Sequence, residues 1–412
     1  MRIGFVSTRL AGTDGVSLET AKLAAILRSM GHAVFYCAGE LEPDGPQGFL
    51  VPEMHFTHPQ ARRIHDEAFI GPAPEDLRLR IAAMAEALRA QLAAFVDRFS
   101  IDVLFPQNAL AIPMHIPLGV ALADFIAETG IPTLAHHHDL YWERERFARC
   151  AVPEILAHAF PPDLPSIRHL VINSLAQKAL SERKGLTSVV LPNIFDFSTP
   201  PPEPDAFAAD LRPALGLAAG DRFILQPTRV VPRKGIALSI ELLRQLGDPR
   251  CKLVITHHAG DEGLDYLAHL QVLAEDSGVD LRYVAERFAP GRTRASDGTK
   301  RYSLWDAYPQ ADFVTYPSLV EGFGNAFLEA VYFRKPLLVN RYAVYQADIG
   351  PLGFQCVEID GAVTAQAVAE TQRLLEDAAL RAQVTAHNFE IARQHFSYEA
   401  VVPALEKLLS SF

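Results

Sequence analysis

Short apolar runs that alternate with longer amphipathic stretches constrain the fold of this chain more than any other feature. In the first half, apolar and β-branched runs occur at residues 2–7, 33–37, 102–106, 132–135 and 169–173. Between them, residues 18–30 and 76–99 carry apolar side chains at helical spacing. Short strands that alternate with helices predict a parallel sheet covered on both faces, with ligands bound beyond the carboxyl ends of its strands.

A proline-rich segment interrupts this pattern. Residues 198–205 read Ser-Thr-Pro-Pro-Pro-Glu-Pro-Asp and cannot continue a regular element. Strand candidates then recur at residues 223–226, 251–256, 281–284, 313–316 and 336–339. We therefore predict an α/β protein with two Rossmann-like, doubly wound parallel-sheet domains, 1–197 and 198–389, that face a central cleft. A helical tail, 390–412, is expected to pack back on the N-terminal domain.

Charge and composition exclude several classes of protein. The net charge of −11 argues against nucleic-acid binding, since phosphate backbones favour clustered Lys and Arg. No run approaches the ~20 apolar residues of a membrane span, and we expect no secretory leader, because the first strand candidate begins at residue 2. The four cysteines are scattered and show no pairing pattern. We expect a cytoplasmic protein without a nucleic-acid partner or membrane span, and homo-oligomerisation stays possible.

The most informative stretch is residues 316–330, Tyr-Pro-Ser-Leu-Val-Glu-Gly-Phe-Gly-Asn-Ala-Phe-Leu-Glu-Ala. It follows an apolar strand and leads into a helix, and two glycines at the junction let the backbone approach a ligand. The first N–H groups of a helix lack internal partners and favour an anion. Glu321 and Glu329 can both face this helix mouth, where carboxylates accept hydrogen bonds from sugar and ribose hydroxyls.

A basic turn follows the first strand of the second half. Residues 226–235 read Gln-Pro-Thr-Arg-Val-Val-Pro-Arg-Lys-Gly. An Arg binds two phosphate oxygens in a fork, and a Lys adds a mobile point charge. Cations held in place stabilise a diphosphate most as it leaves and gains charge. We assign this role to Arg229 and Lys234, and we expect Arg233 to be a solvated neighbour.

Together these motifs resemble the retaining GT-B glycosyltransferases of family 4, and the resemblance covers nearly the whole chain. It implies that Arg229 and Lys234 contact the donor diphosphate and that Glu321 holds the donor hexose. It also implies that Glu329 holds the nucleotide ribose. The remaining donor-binding residues that it implies are Gly322, Phe323, Gly324 and Asn325. The loop 11–17 is not a dinucleotide-binding fingerprint, but it resembles the GGV loop of these enzymes and adds Gly15 to the donor site.

Three consecutive histidines end one strand of the first half, at residues 136–138. Side chains alternate along a strand, so only His136 and His138 can converge, which is too few for zinc; we predict no metal. The family usually has a histidine here that faces the donor sugar, which best matches His138, with His136 second. His136, Trp142 and Arg144 are the predicted acceptor residues, although a solvated helix face explains the charged run 143–146 equally well.

We therefore predict a hexosyltransferase that moves a hexose from a UDP- or GDP-sugar to a hydroxyl of a small polar or carbohydrate acceptor, with retention. No tightly bound cofactor is expected. Residues 136–147 and 340–345 are similar to enzymes that build glucosylglycerate-type solutes, and 339–345 departs from the commoner small residues of the family. A GT-B sugar epimerase or phosphorylase, or a sugar-binding protein without chemistry, stays as an alternative.

Overall fold

The computed structural model describes residues 1–42, 45–260 and 263–412. Contacts between these residues divide the chain into two compact units. The N-terminal unit comprises residues 1–194 and 401–412, and the C-terminal unit comprises residues 195–400. Each unit has a parallel sheet of its own.

The sheet of the N-terminal unit is built from seven parallel strands. They are β1 (Arg2–Ser7), β2 (Ala33–Ala38), β3 (Gly48–Leu50), β4 (Val103–Pro106), β5 (Thr133–His137), β6 (Ile167–Val171) and β7 (Ser188–Val190). Their order is β3-β2-β1-β4-β5-β6-β7. The strands that follow β1 in the chain are added on one side of it, and from β4 onward they are added on the opposite side. Such a reversal leaves a crevice between the loops that follow the two central strands.

Six helices flank this sheet: α1 (Gly15–Ser29), α2 (Pro59–Phe69), α3 (Leu77–Phe99), α4 (Ile116–Thr129), α5 (Pro153–Ala159) and α6 (Ser174–Lys184). The apolar sides of α3 and α4 supply much of the main core, where Leu92, Phe95 and Leu122 are fully buried. The last residues of the chain belong to this unit as well. Arg168 donates to the carbonyl of Ser411 at 3.2 Å.

The C-terminal unit repeats the arrangement with a second sheet. Its strands are β8 (Arg222–Gln226), β9 (Cys251–Ile255), β10 (Leu281–Tyr283), β11 (Thr293–Arg294), β12 (Lys300–Arg301), β13 (Phe313–Tyr316), β14 (Leu337–Asn340) and β15 (Val357–Ile359). Six of them form a parallel sheet in the order β10-β9-β8-β13-β14-β15, and β11 and β12 form a separate antiparallel hairpin. In this sheet the strand order reverses between β8 and β13.

The helices of this half are α7 (Leu211–Ala214), α8 (Ile236–Leu246), α9 (Asp265–Asp276), α10 (Leu304–Gln310), α11 (Asn325–Tyr332), α12 (Ala365–Glu376), α13 (Ala378–Phe396) and α14 (Tyr398–Leu409). The boundary between the two units falls within α14. In the described part of the chain, no helix is both long enough and apolar enough to cross a membrane.

The predicted fold class is confirmed: both units are α/β with doubly wound parallel sheets. The strands predicted from apolar runs lie within two residues of those observed, as with 2–7 for β1 and 313–316 for β13. The sequence patterns missed β3, β7 and β15, each of three residues. A run of three residues carries little periodicity, and β10, of the same length, was recognised only as part of the longer run 281–284.

Candidate active site

Two loops of the C-terminal unit meet at the carboxyl ends of neighbouring strands. β8 and β13 pair in parallel, and they are the two strands at which the sheet order reverses. Residues 227–235 follow β8, and residues 317–324 follow β13. Ligands of doubly wound sheets bind at such a point, so this edge is the expected binding site of the unit.

Lys234 and Glu321 connect these two loops through an ion pair. Nζ of Lys234 contacts Oε1 of Glu321, and Nη1 of Arg233 lies 3.4 Å from Oε2. The side chains of Lys234 and Glu321 are 11% and 10% exposed, so the carboxylate is held between two cations and largely away from water. Our expectation that Arg233 is merely a solvated neighbour was wrong, because the chain turn at Pro232 brings it onto Glu321.

Burial and charge act in opposite directions on this pair. Burial alone would raise the pKa of Glu321, but the Lys234 ammonium, Ser318 and the charge of Arg233 together hold that pKa below its ordinary value. Burial lowers the pKa of Lys234 against the effect of Glu321, and the charges of Arg233 and Arg229 lower it further. Arg229 is therefore near enough for its charge to act on Lys234. Arg233 and Lys234 place two cations at one carboxylate on this edge, which suits an anionic ligand.

Backbone contacts hold the two loops against each other. The N–H of Leu319 donates to the carbonyl of Arg233 at 2.8 Å. Gly235 has a φ of 62°, and a Cβ on it would lie 2.3 Å from the carbonyl oxygen of Pro317. Only glycine fits there, both for its left-handed conformation and for the space. The approach of the two loops thus depends on Gly235.

Two buried tyrosines surround the glycine at the mouth of α11. Gly324 has a φ of 128°, and a Cβ on it would lie 2.7 Å from Oη of Tyr342 and 3.0 Å from Oη of Tyr316. Tyr342 donates a 2.5 Å hydrogen bond to the carbonyl of Phe323. Our reading of the sequence did not select either tyrosine. Tyr316 ends β13 and Tyr342 follows β14, so both lie at the ligand-binding edge of the sheet. That position is the sequence feature by which they could have been selected.

The other motif residues have distinct environments. The buried ring of Phe323 packs edge-on against Phe396, with ring centroids 5.2 Å apart. Asn325 is the first residue of α11. Glu329 accepts a 2.8 Å hydrogen bond from Oη of the fully buried Tyr308. Gly322 lies in the loop between Glu321 and Phe323, and the donor-binding roles of these residues stay predictions.

In the N-terminal unit, the loop before α1 is organised by an aspartate. The carboxylate of Asp14 accepts from the N–H groups of Val16 and Ser17 and so caps the helix that Gly15 begins. Arg9 donates to the same carboxylate at 3.0 and 3.2 Å. The N–H groups of Val16 and Ser17 are thus already bonded, and the role of Gly15 stays a prediction.

His136 and His138 converge on one buried glutamine. Nδ1 of His136 and Nε2 of His138 each lie 3.0 Å from Oε1 of Gln107. His137 points elsewhere, and its Nε2 lies 2.9 Å from Nδ1 of His169. Burial lowers the pKa of His138 to about 4, against a smaller effect of the Asp14 charge. His138 is therefore a neutral hydrogen-bonding group at physiological pH.

The predicted acceptor residues belong to one short turn, with Trp142 inside it and Arg144 directly after it. Trp142 packs on an apolar cluster with Leu140 and Phe147, and the guanidinium of Arg183 lies 5.5 Å from its ring. Arg144 donates to Oδ1 of Asp139 at 2.6 Å. These contacts fit structural roles, and acceptor binding by either side chain stays a prediction.

A pocket of about 210 Å³ lies at the carboxyl ends of β1 and β4, the strands at which the order of the N-terminal sheet reverses. Its wall includes five polar or charged side chains that we did not predict as site residues, Thr8, Arg9, Asp14, Asn108 and Asp139, together with Arg146 of the charged run 143–146. The sequence feature that could have identified Asn108 is its position just after an apolar strand. Within residues 1–42, 45–260 and 263–412, no group of three or more His, Cys, Asp or Glu side chains is placed to hold a metal ion.

Residues 207–388 match the family model described as Glycosyl transferases group 1. Two relatives are each named mannosylglucosylglycerate synthase. The one from Thermotoga maritima is 34% identical, and the comparison covers 100% of this chain and 99% of the relative. The one from Petrotoga mobilis is 33% identical over 87% of this chain and 86% of the relative.

Solved structures of glycosyltransferases share the fold over the full length of the chain. HepE of Anabaena, solved in complex with UDP and glucose, has a TM-score of 0.66 and 17% identity, with 100% of both chains covered. Sucrose-phosphate synthase from Thermosynechococcus elongatus also has a TM-score of 0.66, with 16% identity over 100% of this chain and 98% of that one.

Proposed function

Since this chain belongs to the group 1 glycosyl transferases, we propose that it moves a hexose from a nucleoside-diphosphate sugar to a hydroxyl of a glucosylglycerate-type acceptor. The C-terminal unit binds the UDP- or GDP-hexose, and the N-terminal unit binds the acceptor. The transfer retains the anomeric configuration of the donor.

One observation carries this proposal: the buried Lys234–Glu321 pair at the edge where the C-terminal sheet reverses. A site for a sugar diphosphate needs cations for the phosphates beside an acceptor for sugar hydroxyls. Lys234, with Arg229 nearby, supplies the first, and the carboxylate of Glu321 supplies the second. The N–H groups that begin α11 add further donors at the same edge.

The chemistry assigned to these residues is electrostatic. The bond between the anomeric carbon and the diphosphate oxygen breaks as the acceptor oxygen bonds to that carbon, and the leaving diphosphate takes the acceptor proton. Negative charge grows on the diphosphate during this step, so Arg229 and Lys234 stabilise the transition state more than the bound donor. Glu321 orients the hexose, and neutral His138 offers a hydrogen bond near the anomeric centre.

The acceptor class is supported by the two relatives. Their name describes a product that contains mannose, glucose and glycerate, and about a third of their residues are identical to this chain over most of its length. A transferase that makes such a product needs an acceptor with several hydroxyls and one carboxylate. We therefore propose glucosylglycerate as the acceptor.

An assay with purified chain tests the proposal. We expect UDP- or GDP-hexose to release free nucleoside diphosphate only when glucosylglycerate is present, and NMR of the product to show the donor's anomeric configuration. Conversion of the donor without an acceptor would favour an epimerase, and donor use with inorganic phosphate would favour a phosphorylase. A donor that stabilises the fold at ~100 times its dissociation constant, by ~2.7 kcal/mol, without any reaction would indicate a binding protein.

A further inference from the structure

We propose that the pocket at the carboxyl ends of β1 and β4 binds the acidic end of a hydroxylated monocarboxylic acid, and that Arg146 selects for the carboxylate. The proposal rests on the proposed function in taking this acid to be the acceptor. It adds a binding site and a residue that determines acceptor specificity.

The size and position of the pocket suit a small polar ligand. Its volume of about 210 Å³ is below the ~300–1,000 Å³ of pockets for drug-sized molecules. It lies at the reversal point of the N-terminal sheet, where doubly wound domains bind ligands. All of its lining residues belong to the N-terminal unit.

Arg146 is the cation of the pocket wall that stands outside the ion pairs of the described residues. Arg9 pairs with Asp14 at 3.0 Å, and Asp139, which also lines the pocket, pairs at 2.6 Å with Arg144, which does not. No carboxylate of the described residues lies within 4.0 Å of Arg146. Its guanidinium is therefore available to a ligand carboxylate.

The contacts of Arg146 leave most of its donors available. Its Nη2 lies 3.1 Å from the thioether sulfur of Met114, which is a weak acceptor, and its guanidinium lies 4.7 Å from the ring of Phe147. Burial and then the charge of Arg144 lower its pKa, against the effect of Asp139. A guanidinium in this environment gains most from a carboxylate, which it can bind through two parallel hydrogen bonds.

The hydroxyls of the ligand would meet fixed polar groups. Oδ1 of Asn108 accepts from the N–H groups of His138 and Asp139 at 3.0 and 3.2 Å, which orients the side chain and leaves its amide nitrogen as a donor. Asn108 holds this position in a left-handed conformation with a φ of 60°. The hydroxyl of Thr8 also lines the pocket and can both accept and donate a hydrogen bond.

Calorimetry with the whole chain tests the pocket directly. The probes are glucosylglycerate and its neutral counterpart glucosylglycerol, titrated into wild type, Arg146→Gln and Arg149→Gln. Arg149 is an exposed arginine of the same segment that does not line the pocket, so it controls for loss of one positive charge. We expect Arg146→Gln to weaken binding of the acid about 10- to 100-fold and to leave binding of glucosylglycerol unchanged. Arg149→Gln should not show this selective loss of the acid.

Transfer kinetics give a second readout. Arg146→Gln should raise KM for the acidic acceptor by a similar factor while KM for the donor stays at the wild-type value. Equal losses for acid and neutral probe, or no loss for either, would overturn the assignment of Arg146. If the acid binds selectively but no transfer occurs with any donor, the proposed function fails and the pocket stands; if transfer occurs but Arg146→Gln keeps the wild-type preference, the pocket fails alone.

Discussion

The phenol of Tyr342 donates a 2.5 Å hydrogen bond to the carbonyl of Phe323, one residue before the glycine at the mouth of α11. Asn340, two residues earlier, donates from Nδ2 to the carbonyl of Ser318 at 3.1 Å. The end of β14 and the residues just after it thus hold both ends of the loop that carries Glu321. This stretch includes the residues that depart from the commoner pattern of the family, and its large polar side chains here position the donor loop.

Tyr342→Phe should impair transfer more than it impairs folding. The variant leaves the Phe323 carbonyl without its buried partner, at a cost of about 1–3 kcal/mol, and frees the loop that holds Glu321. We expect kcat/KM for the donor to fall about 10-fold. Tyr302→Phe is the control, since it loses a 2.8 Å hydrogen bond to Asp210 elsewhere in the unit. Equal effects of the two variants on kcat/KM would contradict a positioning role for Tyr342.

Lys234→Ala should reduce both activity and stability, and a second substitution should separate the two effects. Loss of one fixed cation lowers turnover about 10²-fold, or ~3 kcal/mol. It also leaves Glu321 buried without Lys234, which destabilises the fold by about 3 kcal/mol. We expect Lys234→Met with Glu321→Gln to recover most of the unfolding free energy and to stay inactive. Denaturation and steady-state assays measure both, and recovered activity in the double variant would refute the leaving-group role.

Acidification should destabilise the N-terminal unit through its buried histidines. Burial is the main cause that lowers the pKa of His115, His138 and His169 to about 4 in the folded chain, from an ordinary value of 6.5. Between these values the unfolded chain binds more protons, so the free energy of unfolding falls as pH falls from 6.5 toward 4. Each histidine contributes a slope of about 1.4 kcal/mol per pH unit.

Urea unfolding at a series of pH values measures this slope. His169→Gln removes one titrating group and should reduce the slope by one histidine's share. A free energy of unfolding that is constant between pH 6.5 and 5 would contradict the assignment of these side chains as buried and neutral.

Gly324→Ala should abolish donor use, because the new Cβ would lie 2.7 Å from Oη of Tyr342 and the backbone there has a φ of 128°. The loop must shift away from its place at α11 to accommodate the methyl group. Gly291→Ala is the matched control, since a Cβ at that glycine meets nothing within 4 Å and its φ is not in the left-handed range. A thermal-shift titration with the donor should show binding by the control only.

Much of the architecture could be predicted from local pattern. β1 and β13 are apolar runs bounded by polar residues, and α3 repeats apolar residues at helical spacing over 23 residues. The proximity of Lys234 and Glu321 was also within reach, because both follow apolar strands of one sheet. The hairpin β11–β12, with two residues in each strand, was not predictable, since so short a pairing has no period.

The sequence by itself determined the α/β class, the repeat of that class after residues 198–205, and the segments that carry the cations and carboxylates. Each of these follows from neighbouring residues, because periodicity and turn chemistry act over a few positions. Only the tertiary structure decided that Arg233 joins Lys234 at Glu321, that Tyr342 holds Phe323, and that Arg146 lines a pocket without an ion pair to any described residue. Such contacts join side chains far apart in the chain, and their distances depend on strand order and helix packing, which no local pattern records.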